Sequence, residues 1–263
     1  MSFSLGSRLI PHIHLPNFLE QAAQYFKTIE IPTDPRFMTP YFSLNDEQRK
    51  LLRIFRERYQ FRYTVHAPFV SLGALDPDHR QLALNRLHDV FRLADEIGGK
   101  VVTFHPSVVN PATFAQYQEI CRYEEESINA LLPLAKSFGL VLSIENMPAF
   151  SEFHPSCSDG SRLQELLWTF PEREFGITID IGHALQAGVN PEALLALDRV
   201  GHFHCHENDR IADRHLPIMD NLTWWELLIK TLNKKFPHSV GILEMYSWED
   251  QVVSFNHLKN YLK

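Results

Sequence analysis

The sequence predicts an α/β fold, a closed (β/α)8 barrel forming a single domain over residues 1–263. Three observations predict it. Short apolar, strand-like runs alternate with helix-like segments along the chain, the pattern of a parallel sheet covered by helices. Six runs close on an acid or an imidazole: YTVH on His66, VVTFH on His105, VLSIE on Glu145, ITID on Asp180, VGHFH on His204 and VGILE on Glu244. These residues follow one another at intervals of 39, 40, 35, 24 and 40 positions. A closed barrel brings all six ends to its C-terminal rim, where such folds build their sites. A doubly wound open sheet gathers ligands at one switch point, and six strand ends do not fit around that crevice.

The predicted strands are Leu9–His12, Thr28–Ile31, Tyr63–His66, Val101–His105, Leu140–Glu145, Gly176–Asp180, Val200–His204 and Val240–Glu244. Between them, helices are predicted at Leu15–Phe26, Asn45–Tyr59, Asp78–Ile97, Thr113–Phe138, Gly160–Phe170, Pro191–Leu197 and Trp224–Lys235, with Glu249–Tyr261 last. In the first helix, Phe18, Leu19, Tyr25 and Phe26 supply packing residues. Ile31–Pro40 is rich in proline and polar residues and reads as a loop over the barrel mouth. In the helix over Asp78–Ile97, the residues Leu84, Leu87, Val90, Phe91, Ala94 and Ile97 recur at helical spacing, and Gly98–Gly99 ends it. The next helix starts after Pro111 and carries Tyr117, Ile120, Ile128, Leu131 and Leu132 before Gly139. The 24-residue step from Asp180 to His204 leaves room only for a short helix, which GVNPEALLALD supplies. Trp224, Trp225 and Trp248 fit core or rim surface.

Composition narrows the function. The net charge is -7, with 32 acidic against 25 basic residues, and no run of basic residues marks a nucleic-acid tail. Cys121, Cys157 and Cys205 form neither a CxxC site nor a disulfide framework, which fits a reducing, cytoplasmic setting. MSFSLGSRLIPH lacks the pattern of a signal peptide, and no apolar stretch is long enough for a membrane span. Nucleotide-loop, nucleophile-elbow and HExxH motifs are absent.

The polar strand ends carry the chemistry. A carboxylate buried without a partner loses its hydration, and a cation shared by Glu145, Asp180 and Glu244 resolves that cost. In ITIDIGHAL, Gly182 permits a tight turn that lets Asp180 and His183 face one centre. His202, His204 and His206 alternate, so an extended backbone points all three to one side. Asp213 and His215 share a face if locally extended. Pro68 and Pro106 stiffen the chain at His66 and His105. Asn146 offers an amide to a ligand hydroxyl or to the carboxylate beside it, and Phe69 is placed to line the pocket. Imidazole with carboxylate suits zinc, and a site richer in carboxylate suits manganese. The expected cofactor is one to three divalent ions per chain.

As a set, these residues resemble the xylose-isomerase-like TIM-barrel superfamily, which includes sugar and sugar-phosphate isomerases and epimerases and the endonuclease IV type of apurinic endonuclease (AP endonuclease family 2). Resemblance to the epimerase branch implies one metal held by Glu145, Asp180, His204 and Glu244. It also implies a sugar or sugar phosphate, with Glu145 and Glu244 as the catalytic bases of a proton transfer through an enediolate. His206 and Arg210 then serve the substrate, with Phe69 and Asn146. His206 remains the rival of His204 for the metal. Resemblance to the endonuclease IV branch implies a trinuclear zinc centre on His66, His105, Glu145, Asp180, His183, His204, Asp213, His215 and Glu244, acting on abasic DNA. A metal-stabilised binding module without catalysis is the third reading. The isomerase or epimerase is preferred, because the loop from His204 to Asp213 is short and no DNA-binding wedge is evident.

Overall fold

The computed structural model describes residues 2–33, 44–150 and 153–262. Eight parallel strands close into a barrel in sequence order: β1 (Ser4–Arg8), β2 (Thr28–Pro32), β3 (Arg62–His66), β4 (Gly99–Phe104), β5 (Val141–Glu145), β6 (Phe175–Asp180), β7 (Val200–Cys205) and β8 (Val240–Leu243). Closure comes from β1 pairing with both β2 and β8. The (β/α)8 architecture expected from the alternating runs is therefore present.

Strand register explains the composition. In-register partners of a parallel sheet share a face. Arg8 pairs with Glu30, Glu30 with Thr64, Thr103 with Ser143, Thr178 with His202 and Asp180 with His204. These polar residues line the inside of the barrel and are buried. Alternate residues such as Ile29, Val65, Val102, Leu142, Ile177 and Phe203 face the helices and form the core. The interior is tied by hydroxyls: Thr178 Oγ1 lies 2.7 Å from Ser143 Oγ and 3.1 Å from Thr103 Oγ1.

The polar interior explains one error in the sequence expectation. The first strand is Ser4–Arg8 and not Leu9–His12. Its outward residues are Leu5 and Ser7, so only one of them is apolar and the run that marks other strands is missing. Leu9 and Ile10 are buried just beyond it.

The helices are α1 (Leu15–Ala22), α2 (Asp46–Tyr59), α3 (Pro77–Ile97), α4 (Tyr117–Ser137), α5 (Pro155–Asp159), α6 (Ser161–Thr169), α7 (Ile181–Ala187), α8 (Pro191–Leu194), α9 (Leu222–Lys235) and α10 (Trp248–Leu258). Capping sets many of their ends. Asn45 and Gln48 close a capping box on α2, Asp76 accepts from Asp78 N and His79 N on α3, and Gly98 ends α3 at φ +76°. The predicted loop over Ile31–Pro40 falls mostly on residues 34–43, outside the described residues. No helix among the described residues is long and apolar enough to cross a membrane.

The connection after β4 is held from outside. Arg162 on α6 donates to Glu124 on α4 at 2.8 and 3.1 Å, and both side chains are buried. The other oxygen of Glu124 accepts from Ser107 N at 2.6 Å. This chain of contacts fixes the segment that leaves His105.

Candidate metal centre

Carboxylate and imidazole side chains at the C-terminal rim form adjoining groups whose ligand atoms lie within 4.8 Å of one another. One group is His66, His105 and Glu145. The next is Glu145, Asp180, His204 and Glu244. The third is His183, His206, Asp213 and His215. Glu145 joins the first two: its Oε2 lies 3.3 Å from both His66 Nε2 and His105 Nε2, and its Oε1 lies 2.8 Å from His204 Nδ1. Asp213 Oδ2 lies 3.2 Å from His183 Nε2 and 3.1 Å from His215 Nε2. Glu244 splits its two oxygens: Oε1 accepts from Arg8 at 2.9 Å, and Oε2 faces His204 Nδ1 at 3.4 Å.

The donor set fits divalent cations. Four imidazoles donate Nδ1–H to a main-chain carbonyl: His66 to Ala67 at 3.0 Å, His183 to Asn146 at 2.8 Å, His206 to Glu207 at 3.2 Å and His215 to Glu244 at 2.6 Å. A neutral ring then carries its lone pair on Nε2, and each of these nitrogens faces a carboxylate oxygen. Two acceptors cannot share so short a gap without a proton or a cation between them. The buried Glu145 Oε2 has no hydrogen-bond donor at all among the described residues. Imidazole and carboxylate in this ratio suit zinc or another borderline ion.

The neighbouring imidazoles and carboxylates shift one another's protonation. Burial pushes the Glu145 carboxyl up, but the His204 charge and the polar contacts of His105, His204 and His66 outweigh it and hold it well below the usual carboxylate range. Glu30, Asp180, Asp213 and Glu244 are lowered in the same way, each against the cost of burial. Burial opposes a charge on His183 and His204, yet Asp180 and Asp213 around the first and Glu244, Glu145 and Glu30 around the second raise both well above the ordinary imidazole value. His105 and His215 are lowered, chiefly by burial.

Local structure brings these residues together by routes the sequence did not show. Asp180 and His183 meet through a helix start and not through a tight turn: Asp180 caps α7 and accepts from His183 N at 2.6 Å. Gly182 is needed for space, since a Cβ there would fall on the His206 imidazole. Asp213 Oδ2 and His215 Nε2 meet at 3.1 Å with His215 at φ +48°, outside the extended conformation that would have given them a shared face. The alternation of His202, His204 and His206 does place all three inside. His204 stands in the four-residue group. His206 stacks on His215 with ring centroids 4.0 Å apart and reaches Asp180 at 3.1 Å. Gly182→Ala should therefore displace His206 and, if the third group holds a divalent cation, weaken its binding by about 10- to 100-fold, the scale for losing a metal ligand's support. Titration against a chelator, with melting as a control, checks this; unchanged affinity would show that His206 plays no part.

A family model described as xylose isomerase-like TIM barrel matches residues 19–261. The chain belongs to this family. Among relatives, the uncharacterized protein MJ1311 of Methanocaldococcus jannaschii is 29% identical, over 100% of this chain and 90% of its own length. A crystal structure of a D-tagatose 3-epimerase-like protein is similar with a TM-score of 0.85 and 26% identity, covering 100% of this chain and 97% of that one. The TTHB071 protein from Thermus thermophilus, soaked with ZnCl2, is similar at TM-score 0.72 and 24% identity, over 99% of this chain and 98% of that chain.

Within this xylose isomerase-like barrel, the four residues read from sequence as substrate-facing have different settings. Phe69 packs its ring 4.7 Å from His105 and edge-on to Phe153, forming a wall beside the first group. Asn146 spends its amide on the backbone, donating to Asp180 O at 2.9 Å and accepting from Asp180 N at 2.8 Å, so it clamps β5 to β6. His206 is buried in the third group. Arg210 is exposed, with φ +64°. Three residues were missed. Arg8 braces Glu244, Tyr246 packs 4.6 Å from His215, and Glu30 lies beneath His204. The one available signal for Glu30 was a lone acid within the apolar run TIEI.

Proposed function

We propose that the protein is a divalent-metal-dependent enzyme of sugar-isomerase or sugar-epimerase type, acting on a sugar or sugar phosphate. One observation carries the reading: Glu145, Asp180, His204 and Glu244 converge on a single point at the barrel rim, with the two glutamates on different strands. Family membership and the full-length similarity to a D-tagatose 3-epimerase-like protein support the substrate class. Glu145, Asp180, His204 and Glu244 would hold the cation. When bound, it supplies polarisation of a substrate oxygen next to the carbon that loses its proton, worth several kcal/mol. Glu145 and Glu244 take up and return that proton. Arg8 holds Glu244 Oε1 and leaves Oε2 turned toward His204, while Phe69 packs beside His105. His206, buried in the third group, and Arg210, exposed beyond β7, are the further residues offered to the substrate.

The test is carbon-bound proton exchange with D2O over a panel of ketoses, aldoses and their phosphates, read by NMR with manganese, cobalt or zinc supplied. Exchange that disappears on chelation is expected. Silence across the panel with metal bound would end this reading.

A specific observation favours a second reading. The donor groups extend beyond four residues, and Glu145 joins two of them, as a multinuclear phosphodiesterase of endonuclease IV type would require. Here His66, His105, His183, Asp213 and His215 would hold further ions, and the substrate would be abasic DNA. Close to three zinc ions per chain with cleavage of an abasic oligonucleotide would select it; one ion with carbon-bound proton exchange would select the first. Metal binding with neither activity would leave a binding module.

Metal loading should depend on pH in a defined direction. The carboxylates around His183 and His204 make both hold protons more tightly than free imidazole, so a cation must displace protons at neutral pH. Zinc affinity is expected to rise with pH through the neutral range, with about one or two protons released per ion. Calorimetry in buffers of different ionisation enthalpy measures this, and binding without proton release would contradict it.

A further inference from the structure

We infer that Glu30 is a positioning residue that fixes His204 with its Nδ1 lone pair turned toward the metal centre. The inference rests on the metal-dependent reading above. His66, His183, His206 and His215 anchor Nδ1 on a carbonyl and present Nε2. His204 is turned the other way. Its Nδ1 faces Glu145 Oε1 at 2.8 Å, Glu244 Oε2 at 3.4 Å and Asp180 Oδ2 at 3.6 Å. Its Nε2 points down the barrel, where Glu30 Oε1 lies 3.0 Å away.

The pair is not aligned as a hydrogen bond, and neither atom has another partner among the described residues. That leaves each atom only the other to satisfy it. Three carboxylates on the Nδ1 side compete for the one proton of a neutral His204. A proton kept there would turn an N–H toward the cation. Glu30 offers the acceptor that draws the proton to Nε2, as outer carboxylates do for metal-bound imidazoles. Glu30 is itself held: its Oε2 accepts from Thr64 Oγ1 at 3.0 Å and meets His202 Nε2 at 2.8 Å. His202, the deepest of the three alternating histidines, thus acts as a strut for this carboxylate.

The experiment has two arms. In wild-type protein labelled with 15N-histidine and loaded with zinc, NMR should show His204 protonated at Nε2. A proton on Nδ1 would overturn the assignment, whatever the variants do. In the second arm, Glu30→Gln should bind zinc about 10- to 100-fold more weakly and change the visible spectrum of the cobalt-substituted protein. Thr64→Val, which removes a donor to Glu30 without touching His204, should lose less. Wild-type affinity and an unchanged cobalt spectrum in Glu30→Gln would overturn the role while leaving the metal centre in place. Failure of the wild type to take up zinc would overturn both.

Discussion

Glu145→Gln is expected to reduce turnover by about 10²–10⁴-fold while the barrel stays folded. The amide has nearly the same shape, so the packing of β5 against its neighbours survives. Its charge does not. Glu145 is the side chain that links the groups: one oxygen faces His66 and His105, the other faces His204. A neutral amide places an N–H where the carboxylate held a lone pair, so one of the two groups loses an anionic ligand. As an isomerase, the variant loses a base and a metal ligand together. As a multinuclear hydrolase, it loses the residue shared by two ions, and zinc content falls with activity. Turnover, metal content and melting temperature of the purified variant check this, and wild-type turnover would remove Glu145 from the site.

Arg162→Ala should be among the most destabilising substitutions, costing about 3–5 kcal/mol. Arg162 is 3% exposed and pairs with the equally buried Glu124. Taking away one partner leaves the other charged and without water, which costs more than the pair contributes when intact. The loss spreads toward the rim, because Glu124 also accepts from Ser107 N, two residues beyond His105. Urea unfolding measures the cost. The double variant Arg162→Met with Glu124→Gln, which removes both charges, should recover part of it. A loss below about 1 kcal/mol would place the pair among weak surface contacts.

Much of the candidate site was legible because its residues end apolar strands. A run such as VLSIE announces both a buried strand and a polar group at its exit, and the barrel then brings such exits together. Glu145, Asp180 and His204 were found in this way. Arg8 was not, because its strand, SLGSR, has no apolar run to end. Glu30 sits one step of the alternation deeper, and its meaning depends on His202 and His204, 172 and 174 residues further along the chain. α7 escaped notice because IGHALQA is short and begins just after the residue already read as a ligand. Arg210 is the opposite case. Resemblance to the epimerase branch suggested a substrate contact for it, whereas in the fold it is exposed at φ +64°.

Alternation of apolar and polar residues, written into the chain, determined the barrel and the rim on which the carboxylates and imidazoles stand. Which nitrogen each ring offers was decided only by the tertiary structure. A ring's free nitrogen depends on what its other nitrogen touches, and those partners are carbonyls and carboxylates brought close by the fold. Sequence order carries the inventory of donors, whereas their direction is a property of neighbours that only folding supplies.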